Sequence, residues 1–99
     1  MKNIEDYVAE ITEAITKDWL ESGYKPEWVP TFTYTEGKKN YKVIRHSHPG
    51  TSKSVHCFVE IATGDIYKSA SWAVAAKGVR GNINDEKKPL FGYDFYKKY

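Results

Sequence analysis

Apolar residues near the start of the chain recur every three or four positions. Ile4, Tyr7, Val8, Ile11, Ile15, Trp19 and Leu20 fall on one stripe of a helix predicted over residues 3–21. Glu10, Glu13, Lys17 and Glu21 fall on its other faces. Asn3 suits the N-cap, with Asp6 three residues on, and Gly23 suits the position just past the end. Pro26 and Pro30 then mark a connector, in which Trp28 and Val29 are expected to cover one edge of the core. From Thr31 the residue types change to β-formers, predicting strands over 31–35, 41–46, 54–62 and 65–69. Turn signals separate them: Glu36-Gly37-Lys38, Pro49-Gly50 and Thr63-Gly64.

The expected architecture is therefore α+β. An N-terminal amphipathic helix packs on a three- to four-stranded antiparallel sheet, because an open sheet of this size must bury one face. After the last hairpin, Ser69 or Ser71 can cap a short helical turn over 72–77, ended by Gly78. Trp72, Ala75, Ala76 and Val79 share one side of that turn and are expected to plug an end of the sheet. Residues 81–89 read as loop. The tail 89–99 alternates aromatics with bases through Phe91, Tyr93, Phe95, Tyr96, Lys97, Lys98 and Tyr99.

Composition narrows the class. Ninety-nine residues suit one domain, divided into the helix (3–21), the meander (31–69) and the turn with its aromatic–basic tail (70–99). With 15% aromatic residues the chain can build a modest core, which argues against disorder. One cysteine, Cys57, excludes an internal disulfide, and its apolar run suggests a reduced, packed thiol in a cytoplasm. The first twenty residues hold several acids and no apolar core of a signal peptide. No apolar run approaches the roughly 18 residues of a membrane span.

The formal charge of +2 conceals a division. Residues 1–24 sum to −4 and residues 25–99 to +6. The plainer account is an acidic helix on a basic sheet with both sets of charges in water. The functional account is a basic part that meets a polyanion while the helix meets something else.

Candidate chemistry is sparse. His46, His48, His56 and Cys57 invite a metal, but strand alternation is expected to point His56 and Cys57 apart, and the spacing matches no structural-zinc pattern. Ser52, Ser54 and Ser69 lie in hairpin contexts with no strand-to-helix elbow. No catalytic residue, metal ligand or cofactor is expected. The loop Lys77-Gly78-Val79-Arg80-Gly81-Asn82 is the best ligand candidate, with Lys68 near it through the preceding strand. Glycines expose backbone N–H groups and the bases add charge, a combination suited to phosphate or carboxylate. The structural alternative is a capping glycine followed by a loop in which Arg80 pairs with an acid. The tail could stack bases and neutralise phosphates, or fold its aromatics onto the sheet.

Residues 63–68 (Thr-Gly-Asp-Ile-Tyr-Lys), Ala70-Ser71-Trp72, Ala76-Lys77 and Arg80-Gly81-Asn82-Ile83, with Ser54-Val55-His56-Cys57-Phe58-Val59-Glu60 upstream, resemble a family of small bacteriophage proteins of unassigned function. The resemblance covers residues 53–84. Ala73 stands where that family tends to have Lys, and Ala75 where it tends to have Pro. The resemblance implies a phage accessory protein acting in a bacterial host cytoplasm and brings no catalytic residue. The expected function is non-enzymatic binding of a phosphate-bearing ligand, nucleic acid or nucleotide. Lys68, Lys77 and Arg80 would contact phosphate and Asn82 would add a hydrogen bond. The competing expectation is a phage protein that inhibits a host protein, such as a defence or nucleic-acid-processing factor, through its Tyr- and Trp-rich surface.

Overall fold

The computed structural model describes residues 3–91 of the chain. Asn3 and Asp6 set the start of the first helix, α1, which runs Ile4–Glu21. Asn3 Oδ1 accepts the Asp6 N–H at 2.9 Å and Asp6 Oδ2 accepts the Asn3 N–H at 3.3 Å, a reciprocal capping box. At the other end Gly23 N–H donates to Leu20 O and Tyr24 N–H to Trp19 O, the paired bonds of a Schellman motif. That reversal needs a left-handed residue, and Gly23 supplies it with φ 90°. The apolar contact that accompanies the motif is Trp19 against Tyr24, with ring centroids 4.5 Å apart. A 3-10 turn, Pro26–Trp28, then leads into the sheet.

Five strands follow: β1 Thr31–Glu36, β2 Asn40–His46, β3 Lys53–Glu60, β4 Asp65–Ser69 and β5 Ala75–Asn82. They pair in sequence order, each antiparallel to the next. The expectation of an N-terminal helix and an antiparallel meander holds, with five strands where three or four were expected. Tyr7, Ile11, Val43, Val59 and Ile66 are fully buried between α1 and one sheet face, with Phe32, Cys57 and Ile83 in the same cluster.

The fifth strand lies where residues 72–77 were expected to turn helically. Ser69 pairs with Ala75, closing residues 70–74 into a hairpin loop, and the Ala70 and Ser71 N–H groups both donate to Val74 O. Six residues are too few to nucleate a stable helix unaided. The unpaired edge of β4 offers the same backbone a ladder instead. Gly78 ends no helix. It sits within β5 at φ 98°, where eight residues of β5 face five of β4 and the register shifts twice. Trp72 is not the expected plug either, because the loop leaves it 51% exposed.

The segment after β5 returns to the helix side. Ile83 N–H donates to Gly64 O, and Lys88 Nζ reaches Glu10 Oε2 on α1 at 3.0 Å while donating to Asp85 O. Tyr7 Oη donates to Pro89 O at 2.6 Å in the buried interior, and Leu90 and Phe91 pack on the core. The start of the tail thus folds onto the domain, and its positions from Tyr93 onward lie outside the described residues. Tyr7→Phe keeps the ring and orphans the Pro89 carbonyl. The expected result is a loss of about 1–3 kcal/mol in urea unfolding, with the slope against urea unchanged.

Candidate functional site

Four residues were expected to form the site, and the structure separates them. Asn82 spends its whole amide on the scaffold. Its Nδ2 donates to Thr63 O at 2.9 Å and Asp65 Oδ1 at 3.0 Å, and its Oδ1 accepts from Asn84 N–H and Nδ2. It splices the β3–β4 turn to the end of β5. Lys68 and Arg80 are half-buried and engaged with other groups. Along β4, Tyr67 faces away from α1 with its partner Phe58, so Lys68 points to the other side. Lys77 alone keeps an exposed position on the face opposite α1.

There Lys77 joins residues from the opposite end of the sheet. It lines a hollow of about 190 Å³ with Lys39, Asn40, Tyr67, Ala75 and Ala76. An adjoining hollow of about 280 Å³ shares Lys39 and Asn40 and adds Glu36, Lys38, Lys42, Phe58 and Ala73. The β4–β5 hairpin bends back toward the β1–β2 turn and brings the two groups together. Lys42 Nζ lies 4.5 Å from the centroid of the Trp72 ring, tying hairpin to sheet. Four lysines therefore meet one carboxylate, and among the described residues Lys38, Lys39, Lys42 and Lys77 make no ion pair. Asn40 Oδ1 is buried beside them and accepts no hydrogen bond. Tyr67 Oη donates to Glu60 Oε1 at 3.4 Å, and desolvation followed by the charge of Glu60 raises its pKa, so this wall stays neutral.

Sequence reasoning missed Lys38, Lys39 and Lys42. The alternation of β2 places Lys42 and Ile44 on one face, and Lys38-Lys39 sits at a turn, so part of the cluster was available locally. Its meeting with Lys77 depends on the fold of the last hairpin.

The histidines and Cys57 are arranged for packing. A bulge in β3 opposite Val43 and Ile44 inserts His56 as the extra residue, which breaks the alternation expected to point His56 and Cys57 apart. Both reach the helix side. His56 Nε2 donates to Leu90 O at 2.8 Å with its ring edge-on to Phe32, and Cys57 Sγ lies 3.9 Å from Tyr7 Oη. His46 and His48 bond instead to Thr33 and Thr31. Among the described residues no three His, Cys, Asp or Glu side chains converge to hold a metal ion. Burial pushes the Cys57 thiol up to about 12, opposed by the hydrogen bond with Tyr7.

A second exposed feature lies at the C-terminal end of α1. Leu20, Tyr24 and Trp28 are each more than two-fifths exposed, and Tyr24 and Trp28 line a shallow apolar hollow with Gly23 and Lys25. Arg45 lies over the Trp19 ring at 5.8 Å, on the flank of this patch.

These observations define a small α+β domain: one helix on a five-stranded antiparallel meander, with a basic hollow on the uncovered side. The chain belongs to the family of unknown function DUF7717, whose model matches residues 1–93. No curated protein and no solved structure is significantly similar to it. Among the described residues no helix is long and apolar enough to cross a membrane.

Two outcomes follow from these assignments. Asn82→Ala leaves two acceptors and the Asn84 N–H without their partner. It is expected to lower the thermal midpoint by several degrees, about 1–2 kcal/mol. The Cys57 thiol has a folded pKa above its unfolded value, so its contribution is complete below about pH 9 and is lost as pH rises toward about 12. Urea midpoints measured from pH 8.5 upward, on the order of two pH units, should fall more steeply for wild type than for Cys57→Ala. The extra slope is at most about 1.4 kcal/mol per pH unit.

Proposed function

We propose that this chain is a non-enzymatic binding protein whose lysine-lined hollow holds a phosphate-bearing ligand, nucleic acid or nucleotide. The carrying observation is the convergence of Lys38, Lys39, Lys42 and Lys77 from two distant parts of the chain onto one concave surface. Gathering like charges costs self-repulsion, which a polyanion relieves while releasing its own counterions. Lys77 keeps the contact role expected of it. Lys68 points to the other side of the sheet, Lys68 and Arg80 are engaged with other groups, and Asn82 supports the turn and makes no ligand contact. The buried, protonated Cys57 favours binding over nucleophilic chemistry. The resemblance of residues 53–84 to small phage proteins supports a phage-encoded accessory protein working in a bacterial host cytoplasm.

A second reading rests on Leu20, Tyr24 and Trp28. Exposed aromatics beside an acidic helix suit inhibition of a host protein, such as a defence or nucleic-acid-processing factor. Capture from host lysate by wild type but not by Tyr24→Ala/Trp28→Ala would support it; equal capture by both would sink it.

The first reading is tested by titrating labelled oligonucleotides and nucleoside triphosphates at several salt concentrations. Wild type is expected to show log K falling with log salt at a slope of roughly −2, about three phosphates on a single strand. Lys38→Ala/Lys39→Ala/Lys77→Ala is expected to bind at least about tenfold more weakly with a shallower slope. Equal binding by the two proteins, or none by either, rejects it.

A further inference from the structure

We infer that the ligand is a single-stranded nucleic acid whose bases stack on Trp72. The inference rests on the phosphate-binding reading above and adds a ligand class and a contact residue to it. Trp72 stands at the rim of the lysine cluster with 51% of its surface in solvent. A tryptophan carries one of the largest apolar surfaces of any side chain, and leaving half of it wet forfeits stability unless something covers it. The loop that presents it is built. Ala70 and Ser71 N–H groups donate to Val74 O, and Ser69 Oγ donates to Ser71 O at 2.9 Å. The ring is therefore held out by a hydrogen-bonded hairpin.

The ring also lies beside the cations. Lys42 Nζ lies 4.5 Å from the ring centroid and also lines the larger hollow. One side chain thus spans the aromatic platform and the phosphate-binding surface: Lys42 covers one face of the ring, and a base stacked on the other face would carry its own phosphate toward Lys42. Val74 in the same loop and Val79 on β5 are also exposed, 55% and 46%.

The shape of the surface selects among phosphate ligands. The two hollows, about 280 and 190 Å³, adjoin at Lys39 and Asn40, so the lysines line a continuous surface and not one closed pocket. A strand laid across shallow hollows uses such a surface fully, with phosphates over lysines and bases over the ring. A duplex offers the same phosphates but keeps its base faces stacked inside, so Trp72 would gain nothing from it.

The experiment measures binding of the full chain to four probes at one salt concentration. They are a single-stranded DNA and a single-stranded RNA of roughly 12 nucleotides, a duplex of equal length, and inorganic tripolyphosphate. The proteins are wild type, Trp72→Ala, Trp72→Phe and Lys38→Ala/Lys39→Ala/Lys77→Ala, each checked for an unchanged melting curve. Trp72 is exposed on a loop, so its variants should fold. The expected pattern is single strands bound more tightly than duplex and weakened about tenfold by Trp72→Ala. Trp72→Phe retains most of the affinity, and tripolyphosphate is indifferent to either change. The triple lysine variant binds all four probes at least about tenfold more weakly. Equal affinity for duplex and single strand, or single-strand binding untouched by Trp72→Ala, overturns the inference while the phosphate reading survives through its lysine dependence. If no probe binds wild type, both readings fall.

Discussion

Removing the apolar stripe of α1 from water is the contribution on which the rest of the domain depends. Ile4, Tyr7, Val8, Ile11 and Ile15 are buried on one face of the sheet. At about 1.5–3 kcal/mol each, they contribute on the order of 10 kcal/mol, comparable to the whole net stability of a typical domain. The sheet alone has no other helix to cover that face among the described residues. Capping at both ends therefore matters beyond its own local energy. The Asn3–Asp6 box and the Gly23 reversal fix where the stripe begins and ends, and so which side chains meet Val43, Val59 and Ile66.

Committing one face to the helix leaves the lysines gathered on the other. The β3 bulge serves the same division. By inserting His56 opposite Val43 and Ile44, it turns that ring inward to grip the carbonyl of Leu90. On the opposite face the short β4 and long β5 are mismatched, and the mismatch bends the hairpin toward Lys39 and Lys42. Irregularity in the ladder, not regular pairing, shapes both the closure of the core and the basic hollow.

Most of the scaffold was readable from local chemistry. The periodicity of α1, its two caps and the first four strands depend on neighbours within a turn or a hairpin. The last strand was not readable, since Trp72, Ala75, Ala76 and Val79 have helical spacing and the alanines, lysine and glycine between Val74 and Val79 dilute any strand signal. Its identity came from the open edge of β4, a tertiary fact. The same gap hid the site. Lys77 was visible as a cation beside a glycine, but its partners Lys38, Lys39 and Lys42 lie some forty positions away, and only the bent hairpin joins them. Asn82 misled for the opposite reason, because an asparagine between two turns looks identical whether it serves a ligand or its own backbone.

The bond between Tyr7 and Pro89 spans 82 positions, whereas every strand pairs with its sequence neighbour. The order of assembly on a ribosome follows from that contrast. Hairpins can form one after another as the chain emerges, since their contacts are local and close quickly. The helix is made first yet is clasped last, when Pro89, Leu90 and Phe91 arrive beside it. The paired strands cover most of its apolar stripe through Phe32, Val43, Val59 and Ile66, and Pro89, Leu90 and Phe91 complete the cover.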